Sequence, residues 1–296
     1  MRKLASIIVC AGLLVSVSAC STPVATSALC DESGSTDLVT TDGDFGADPK
    51  TEFPTPLIAS SVGVTEAIKG DGKTVPPGGV VVSTVFVYDG ETGEGRIGGE
   101  QPVLLPTDDF AYPFSEVLQC GSVGSRFVAT GTAQELFGEG ASQFKFEPDS
   151  SLVLVADISE TFLGRADGAD QLAPSGMPSI VLAPNGQPGF TFPDIPAPTD
   201  VRVDVLKKGS GAKATKDDVV VVHYSSIYWQ GDALLESTWG AAPAPVPLTA
   251  GADAGSMPPD VTAALVGQTV GSQVMIAVPG DQTVVYVVDI LGIVEQ

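Results

Sequence analysis

Histidine and basic residues are what this chain has least of. Among 296 residues there is one histidine, His223, with four cysteines, two tryptophans, and 14 lysines and arginines against 36 aspartates and glutamates. One histidine distant from the cysteines cannot complete a zinc site, so no metal is expected. No Ser/Asp partner motif accompanies it, so a general-base role has no support. A formal net charge of −22 repels phosphate backbones and anionic headgroups, which excludes nucleic acid as a partner. The acidity reads as solubility and names no substrate. Extended amphipathic helical patterns are also scarce. Instead there are 34 glycines and 23 prolines, with 43% hydrophobic residues, a mixture that favours short strands joined by turns around real cores. The length is comfortable for two domains.

The N-terminus reads as a secretion signal. Arg2 and Lys3 precede the apolar run 4-LASIIVCAGLLVSVSA-19, and small residues lead into Cys20. The ending Val17-Ser18-Ala19-Cys20 resembles a bacterial lipobox, whose cysteine is acylated and becomes the first residue of the mature chain. A plain signal peptide or a membrane anchor is the alternative, but the run is short for a span. The expectation is a lipid-anchored protein on the extracytoplasmic face of a cell membrane. Two cysteines then remain, Cys30 and Cys120. Thiols outside the cytoplasm tend to pair, so a Cys30–Cys120 disulfide is expected, with two free or buried thiols as the alternative.

The chain contains a tandem repeat. The segment 53-FPTP-56 is echoed by 192-FPDIPAP-198, and 69-KGDGKTVPPGGVVVSTVF-86 by 208-KGSGAKATKDDVVVVHYS-225 at the same offset. Further on, 118-LQCGSVGSRF-127 matches 265-LVGQTVGSQV-274, and 152-LVLVADI-158 matches 284-VVYVVDI-290. Each copy reads as a strand, a Gly-rich turn, a buried strand, a short helix and two closing strands, an α+β arrangement. Asp260 is the expected N-cap for a helix over 261–266 with Gly267 as its stop, and Ser115 and Gly121 bracket the equivalent turn. Neither Gly70-Asp71-Gly72 nor Gly209-Ser210-Gly211 leads into a helix, so both read as hairpin turns, not phosphate loops.

The second copy resembles the FKBP-type peptidyl-prolyl isomerases over most of 177–296. The likeness is carried by Gly209-Ser210-Gly211, the valine run, His223-Tyr224-Ser225-Ser226, Trp229-Gln230-Gly231-Asp232, Leu235-Glu236-Ser237-Thr238-Trp239 and 264-ALVGQTVGS-272. The first copy is similar only through the repeat, with Thr84-Val85 where the second has His223-Tyr224. The resemblance implies two domains, each a bent antiparallel sheet wrapped around one short helix. The implied boundaries are a signal peptide over 1–19, a tether over 20–50, a degenerate first domain over 51–165, a linker over 166–176 and a second domain over 177–296.

It also implies an apolar pocket in the second domain. Tyr224 matches the family's strand tyrosine and Glu236 its ligand-side aspartate, the two residues to which catalysis is assigned. Leu235, Val246 and Val261 stand where the family has aromatic residues, Met257-Pro258 falls in its pocket-floor stretch, and Tyr286 stands for its last-strand phenylalanine. Pro258 lacks the backbone N–H that the family offers its ligand. After Pro279-Gly280-Asp281 the family's covering loop is missing, whereas the first copy keeps a longer connection over 131–151. His223 reads as the end of a buried strand, and Trp229 and Trp239 as packing residues. The expected function is prolyl isomerisation on proline-containing peptides or unfolded secreted proteins, by a monomer, without a cofactor. The alternative is an inactive peptide- or partner-binding lipoprotein.

Overall fold

The computed structural model describes residues 34–99, 101–107, 113–240, 245–253 and 255–294. The leader 1–19, the lipidation position Cys20 and Cys30 lie outside the described residues.

In the first repeat, β1 (Thr40–Asp42) and β2 (Lys50–Glu52) form a small hairpin. It is followed by β3 (Gly63–Ile68), β4 (Val80–Asp89), β5 (Gly95–Ile97), β6 (Val103–Pro106), β7 (Arg126–Thr132) and β8 (Ser151–Phe162). These six make one antiparallel sheet in the order β3-β7-β8-β4-β5, with β6 also pairing to β4. Segment 34–50, read as tether from sequence, therefore carries structure: a 3-10 turn over Gly34–Leu38 holds Thr36 Oγ1 2.7 Å from Thr65 Oγ1 on β3.

The second repeat follows the same plan. After β9 (Ala169–Asp170) come the hairpin β10 (Ser179–Leu182) and β11 (Pro188–Thr191), then β12 (Arg202–Lys208), β13 (Val219–Tyr228), β14 (Leu234–Ser237), β15 (Val246–Thr249), β16 (Gln273–Val278) and β17 (Val284–Ile293). The sheet runs β14-β13-β17-β16-β12-β9, with β15 also on β13. Hairpin, first strand and central strand begin at Thr40, Gly63 and Val80 in one repeat and at Ser179, Arg202 and Val219 in the other, 139 residues apart each time. The duplication thus reaches back to the hairpins.

The valine runs form central strands because both of their faces are covered. Val81 and Val87 of β4 enter one core with Phe114, Val117 and Leu118, while Phe86 enters a separate cluster with Leu57 and Val153. On β13, Val220 and Val222 meet Val261 and Leu265, whereas Ile227 packs with Met177 and Val285. Each fully buried valine contributes about 1.5–3 kcal/mol. We call the face that meets the helix the inner face.

The helices depart from expectation in two respects. Helix α1 (Pro113–Val117) continues as a 3-10 turn to Cys120 and stops at Gly121, but the first repeat also has α2 (Ala133–Phe137), so it holds two helices rather than one. Helix α2 is capped by a reciprocal pair, Thr132 and Glu135, within the longer connection. In the second repeat α3 spans Pro259–Leu265, and its N-cap is Pro258 rather than Asp260, which lies in the first turn. Pro259 accounts for the earlier start, because a proline at the first helical position forfeits no intrahelical bond.

The outer face of each sheet holds a buried acid in a matching place. Asp157 of β8 pairs in register with Thr84 and Arg126, and Asp289 of β17 with His223 and Gln273. Arg126 grips Asp157 through Nε–Oδ1 at 2.6 Å and Nη2–Oδ2 at 2.7 Å, with both side chains fully buried. The same guanidinium donates to the carbonyls of Gly43 and Asp44, and Gly46 N donates to Asp157 Oδ2 at 2.6 Å, so the β1–β2 loop is fastened there. Asp289 instead accepts from Gln273 Nε2 at 2.7 Å and from Ala166 N, in the connector between repeats, at 2.8 Å. The repeats meet through Val80, Phe162, Val221 and Leu291. Gly292 is required there, since a β-carbon would overlap the Phe162 ring.

Candidate functional site

The inner face of the second sheet brings most of the expected site residues together. Tyr224, Val246, Met257, Val261 and Tyr286 belong to one cluster with the helix residue Leu265. Val246 pairs with Val222, Val261 is fully buried on α3, and Pro258 accepts from Val261 N as the helix begins. Leu235 stands apart: the β13–β14 register slips between Ser226 and Ile227, leaving Leu235 in the bulge, 41% exposed and outside that cluster.

Tyr224 and Glu236 are in contact. The phenol donates to Glu236 Oε2 at 2.9 Å. Burial first, then this hydrogen bond and the carboxylate charge, push the Tyr224 phenol up to about 12. Tyr286 is also raised, by burial and then by the charge of Glu236 and by Tyr228. Glu236 and Tyr286 flank Ser226 in one cross-strand row, and Tyr224 and Tyr228 lie two residues either side of Ser226 along β13. Side chains alternate along a strand, so all of these project from the same face.

The remaining rare residues serve the frame. His223 is buried, its Nδ1 lies 2.8 Å from Thr238 Oγ1, and its ring stacks on Trp239 with centroids 4.1 Å apart. Burial lowers its pKa to about 4, which keeps it neutral at physiological pH. Trp229 donates from Nε1 to Ile195 O at 3.1 Å and meets Phe192 edge-on. Gly70 and Gly209 each donate from the backbone to a serine hydroxyl, Ser125 and Ser272, and have no room for a side chain against the turns at Ser122–Ser125 and Val270–Ser272. Among the described residues no group of three or more potential ligands could hold a metal ion. Cys120 is disulfide-bonded, and Cys10, Cys20 and Cys30 all lie outside the described residues.

The first repeat holds an apolar pocket that its sequence did not lead us to expect. It has a volume of about 490 Å³ and is bounded by Val85, Ile97, Leu105, Phe114, Phe137 and Phe144, among others. By the register of the two repeats, Val85 and Ile97 stand where the second repeat has Tyr224 and Glu236, and Phe114 stands where it has Val261. Bulk has moved from sheet to helix. Phe137 and Phe144 come from the connection over 131–151, which has no counterpart in the second repeat. The Phe137 ring lies 5.3 Å from those of both Phe114 and Phe144 and 5.6 Å from that of Phe146. The Arg96 guanidinium sits 5.5 Å above the Phe146 ring.

What each site can do differs. The first offers a cavity lined mainly by apolar and aromatic side chains. The second offers a carboxylate–phenol pair at the edge of an apolar cluster in which Tyr224 and Val246 are only partly buried. Neither has a nucleophile activated by a base among the residues described above.

No family model and no curated protein matches the chain. Among solved structures it is similar to the three FKBP domains of wheat FKBP73, at 14% identity over 80% of this chain and 96% of that one, with a TM-score of 0.34. It is also similar to a peptidyl-prolyl cis-trans isomerase from Pseudomonas syringae pv. tomato, at 20% identity over 35% and 77%, TM-score 0.30. A third is FkpA from Escherichia coli, at 16% identity over 34% and 46%, TM-score 0.28. The structures to which this chain is similar thus include FKBP-type peptidyl-prolyl isomerases, some of them built from several such domains.

Proposed function

We propose that the protein binds proline-containing peptide segments and accelerates their cis–trans isomerisation, as a folding helper held at the outer face of a cell membrane by a lipid on Cys20. The observation that carries the reading is the apolar pocket of the first repeat, with Phe114 from the helix and Phe137 and Phe144 from the connection over 131–151. The second repeat supplies a further peptide-binding surface through Tyr224 and Glu236.

Rotation about an X-Pro bond must break amide resonance, a barrier of about 18–20 kcal/mol. The twisted amide has less charge separation than the planar one, so a dry aromatic cavity disfavours the ground state more than the transition state. No proton need be moved. Removing about 3 kcal/mol in this way accelerates the reaction about a hundredfold. Among the lining residues, Gln101, Gly98 and Gly99 would supply the polar groups that orient a substrate carbonyl.

The test is two-dimensional NMR exchange on an Ala-Leu-Pro-Phe peptide with the full chain. At least tenfold acceleration is expected. A rate equal to that in buffer, with well-dispersed protein spectra, overturns catalysis. Peptide-induced shifts in that same sample would then support the second reading, a binding protein without turnover. That reading is favoured by Val85 and Ile97, which leave the first pocket without the phenol and carboxylate of the second site. The anchor has its own test, a diacylglycerol mass increment on Cys20 in membranes of the native host.

A further inference from the structure

The second-repeat site is chemically unlike the first, and the elements that build it carry no positive charge; Lys213 and Lys216 lie beside Gly267 and Gly251, beyond the ends of α3 and β15. Residues 217–296 contain nine aspartates and glutamates and not one lysine or arginine. The elements that build the site, β13, β14, β15, α3 and β17, all lie within that stretch. Glu236 is exposed, and the hydrogen bond from Tyr224 takes one of roughly four acceptor positions of its carboxylate. Around it stand three phenol rings. Tyr224 touches it, Tyr286 lies one strand beyond Ser226, about 10 Å away by strand spacing, and Tyr228 is on the same face and 39% exposed. An aromatic face attracts a cation and a carboxylate completes its hydrogen bonding.

We infer that the second repeat selects peptides carrying a lysine or arginine beside proline, with the cationic head seated between Glu236 and the rings of Tyr224 and Tyr228, and the buried Tyr286 behind them. The inference rests on the reading of this surface as a peptide site and adds its specificity. The first repeat takes the opposite class. Val85 and Ile97 replace the phenol and the carboxylate, so its cavity accepts apolar side chains and offers a cation no counter-charge. One chain thereby presents two peptide sites of different preference. The proline ring of a bound segment lies on Val246, which is only partly buried, while the long aliphatic stem of the neighbouring lysine spans to the rim.

The experiment titrates the full chain, labelled at its tyrosines, with Ala-Lys-Pro-Lys, Ala-Leu-Pro-Leu and Ala-Glu-Pro-Glu. Shifts at Tyr224 and Tyr286 report the second repeat. The lysine peptide is expected to bind about tenfold tighter than the leucine peptide at low ionic strength, the sum of one half-exposed ion pair and one cation–aromatic contact. The glutamate peptide is expected to bind weakest. In 1 M salt the lysine preference falls below about twofold. E236Q is expected to cut the lysine preference to about threefold, the share of the cation–aromatic contact. Equal binding of the lysine and leucine peptides by the unaltered protein, or a lysine preference undiminished by E236Q, overturns the inference while leaving the peptide site standing. Failure of every peptide to shift the tyrosines removes the second-repeat site and the inference together.

Discussion

Asp157 and Asp289 hold one position in two copies of the same sheet, and each is partnered there by different chemistry. Asp157 is locked to the guanidinium of Arg126, whereas Asp289 meets only neutral donors, Gln273 and the backbone of Ala166. Burial therefore pushes Asp289 up to about 6, and its cross-strand neighbour His223 is pushed down to about 4 for the same reason.

These two groups should tilt stability in opposite directions over nearly one pH window. Asp289 is raised above its ordinary 3.8, so its contribution is complete at low pH and is lost as pH rises through about 6. His223 is depressed below 6.5, so its contribution is present above that value and is lost as pH falls through about 4. Each amounts to about 3 kcal/mol at most. Urea denaturation between pH 4 and 7 should be nearly flat for the unaltered protein, should rise with pH for Asp289→Asn, and should fall with pH for His223→Gln. Parallel profiles for the three proteins would contradict the account.

Arg126→Gln installs the second repeat's donor in the first. Unlike Asp289, Asp157 has been accommodated with a full counter-charge, so the variant leaves a buried carboxylate without one and should cost about 3–5 kcal/mol. Because Arg126 also holds the carbonyls of Gly43 and Asp44, amide exchange at Gly46 should accelerate before the sheet itself opens. Equal protection of Gly46 in both proteins would show that the loop is held by something else.

The phenylalanines of the first pocket should separate stability from binding. Phe137 is 3% exposed and touches three other rings, so Phe137→Ala should cost about 3–5 kcal/mol. Phe144 is 38% exposed, so Phe144→Ala should cost under about 1 kcal/mol of stability yet weaken Ala-Leu-Pro-Leu binding several-fold. Calorimetric melting and NMR titration decide this. A Phe144→Ala protein that binds the peptide undiminished would move the binding site out of this cavity.

Gly292→Ala tests the seam between repeats. The added methyl would overlap the Phe162 ring, so that ring must leave its place against Val221 and Leu291. The expected result is a larger radius of gyration in solution scattering, with each repeat still melting cooperatively. An unchanged radius would mean that the ring can move aside without parting the repeats.

Much of the frame was legible because the two copies are their own control. The shared 139-residue offset of the Gly-x-Gly turns and valine runs locates the central strands, and α1 falls where the bracketed turn was expected. The hairpins were not legible: 40-TTD-42 and 179-SIVL-182 share position but no side-chain pattern, since hairpin pairing makes few demands on sequence. The first pocket escaped because Phe137 and Phe144 come from a connection the second copy lacks, so there was nothing to compare. The acid in 152-LVLVADI-158 and 284-VVYVVDI-290 was in plain view, but its burial depends on what crosses it. Arg126, Gln273 and the two crossing segments come from elsewhere in the chain.

The fastening of the β1–β2 loop also decides how the protein bears load. A pull on the chain ahead of Thr40 first loads the Thr36–Thr65 contact on β3 and the three-residue β1, and once these yield it reaches Arg126 and Asp157. Those side chains rise from β7 and β8, in the middle of the strand order, not from an edge that could peel one bond at a time. Several charged bonds must yield together, in shear. Tension that passes the hairpin would thus fall on β7 and β8, in the middle of the first sheet.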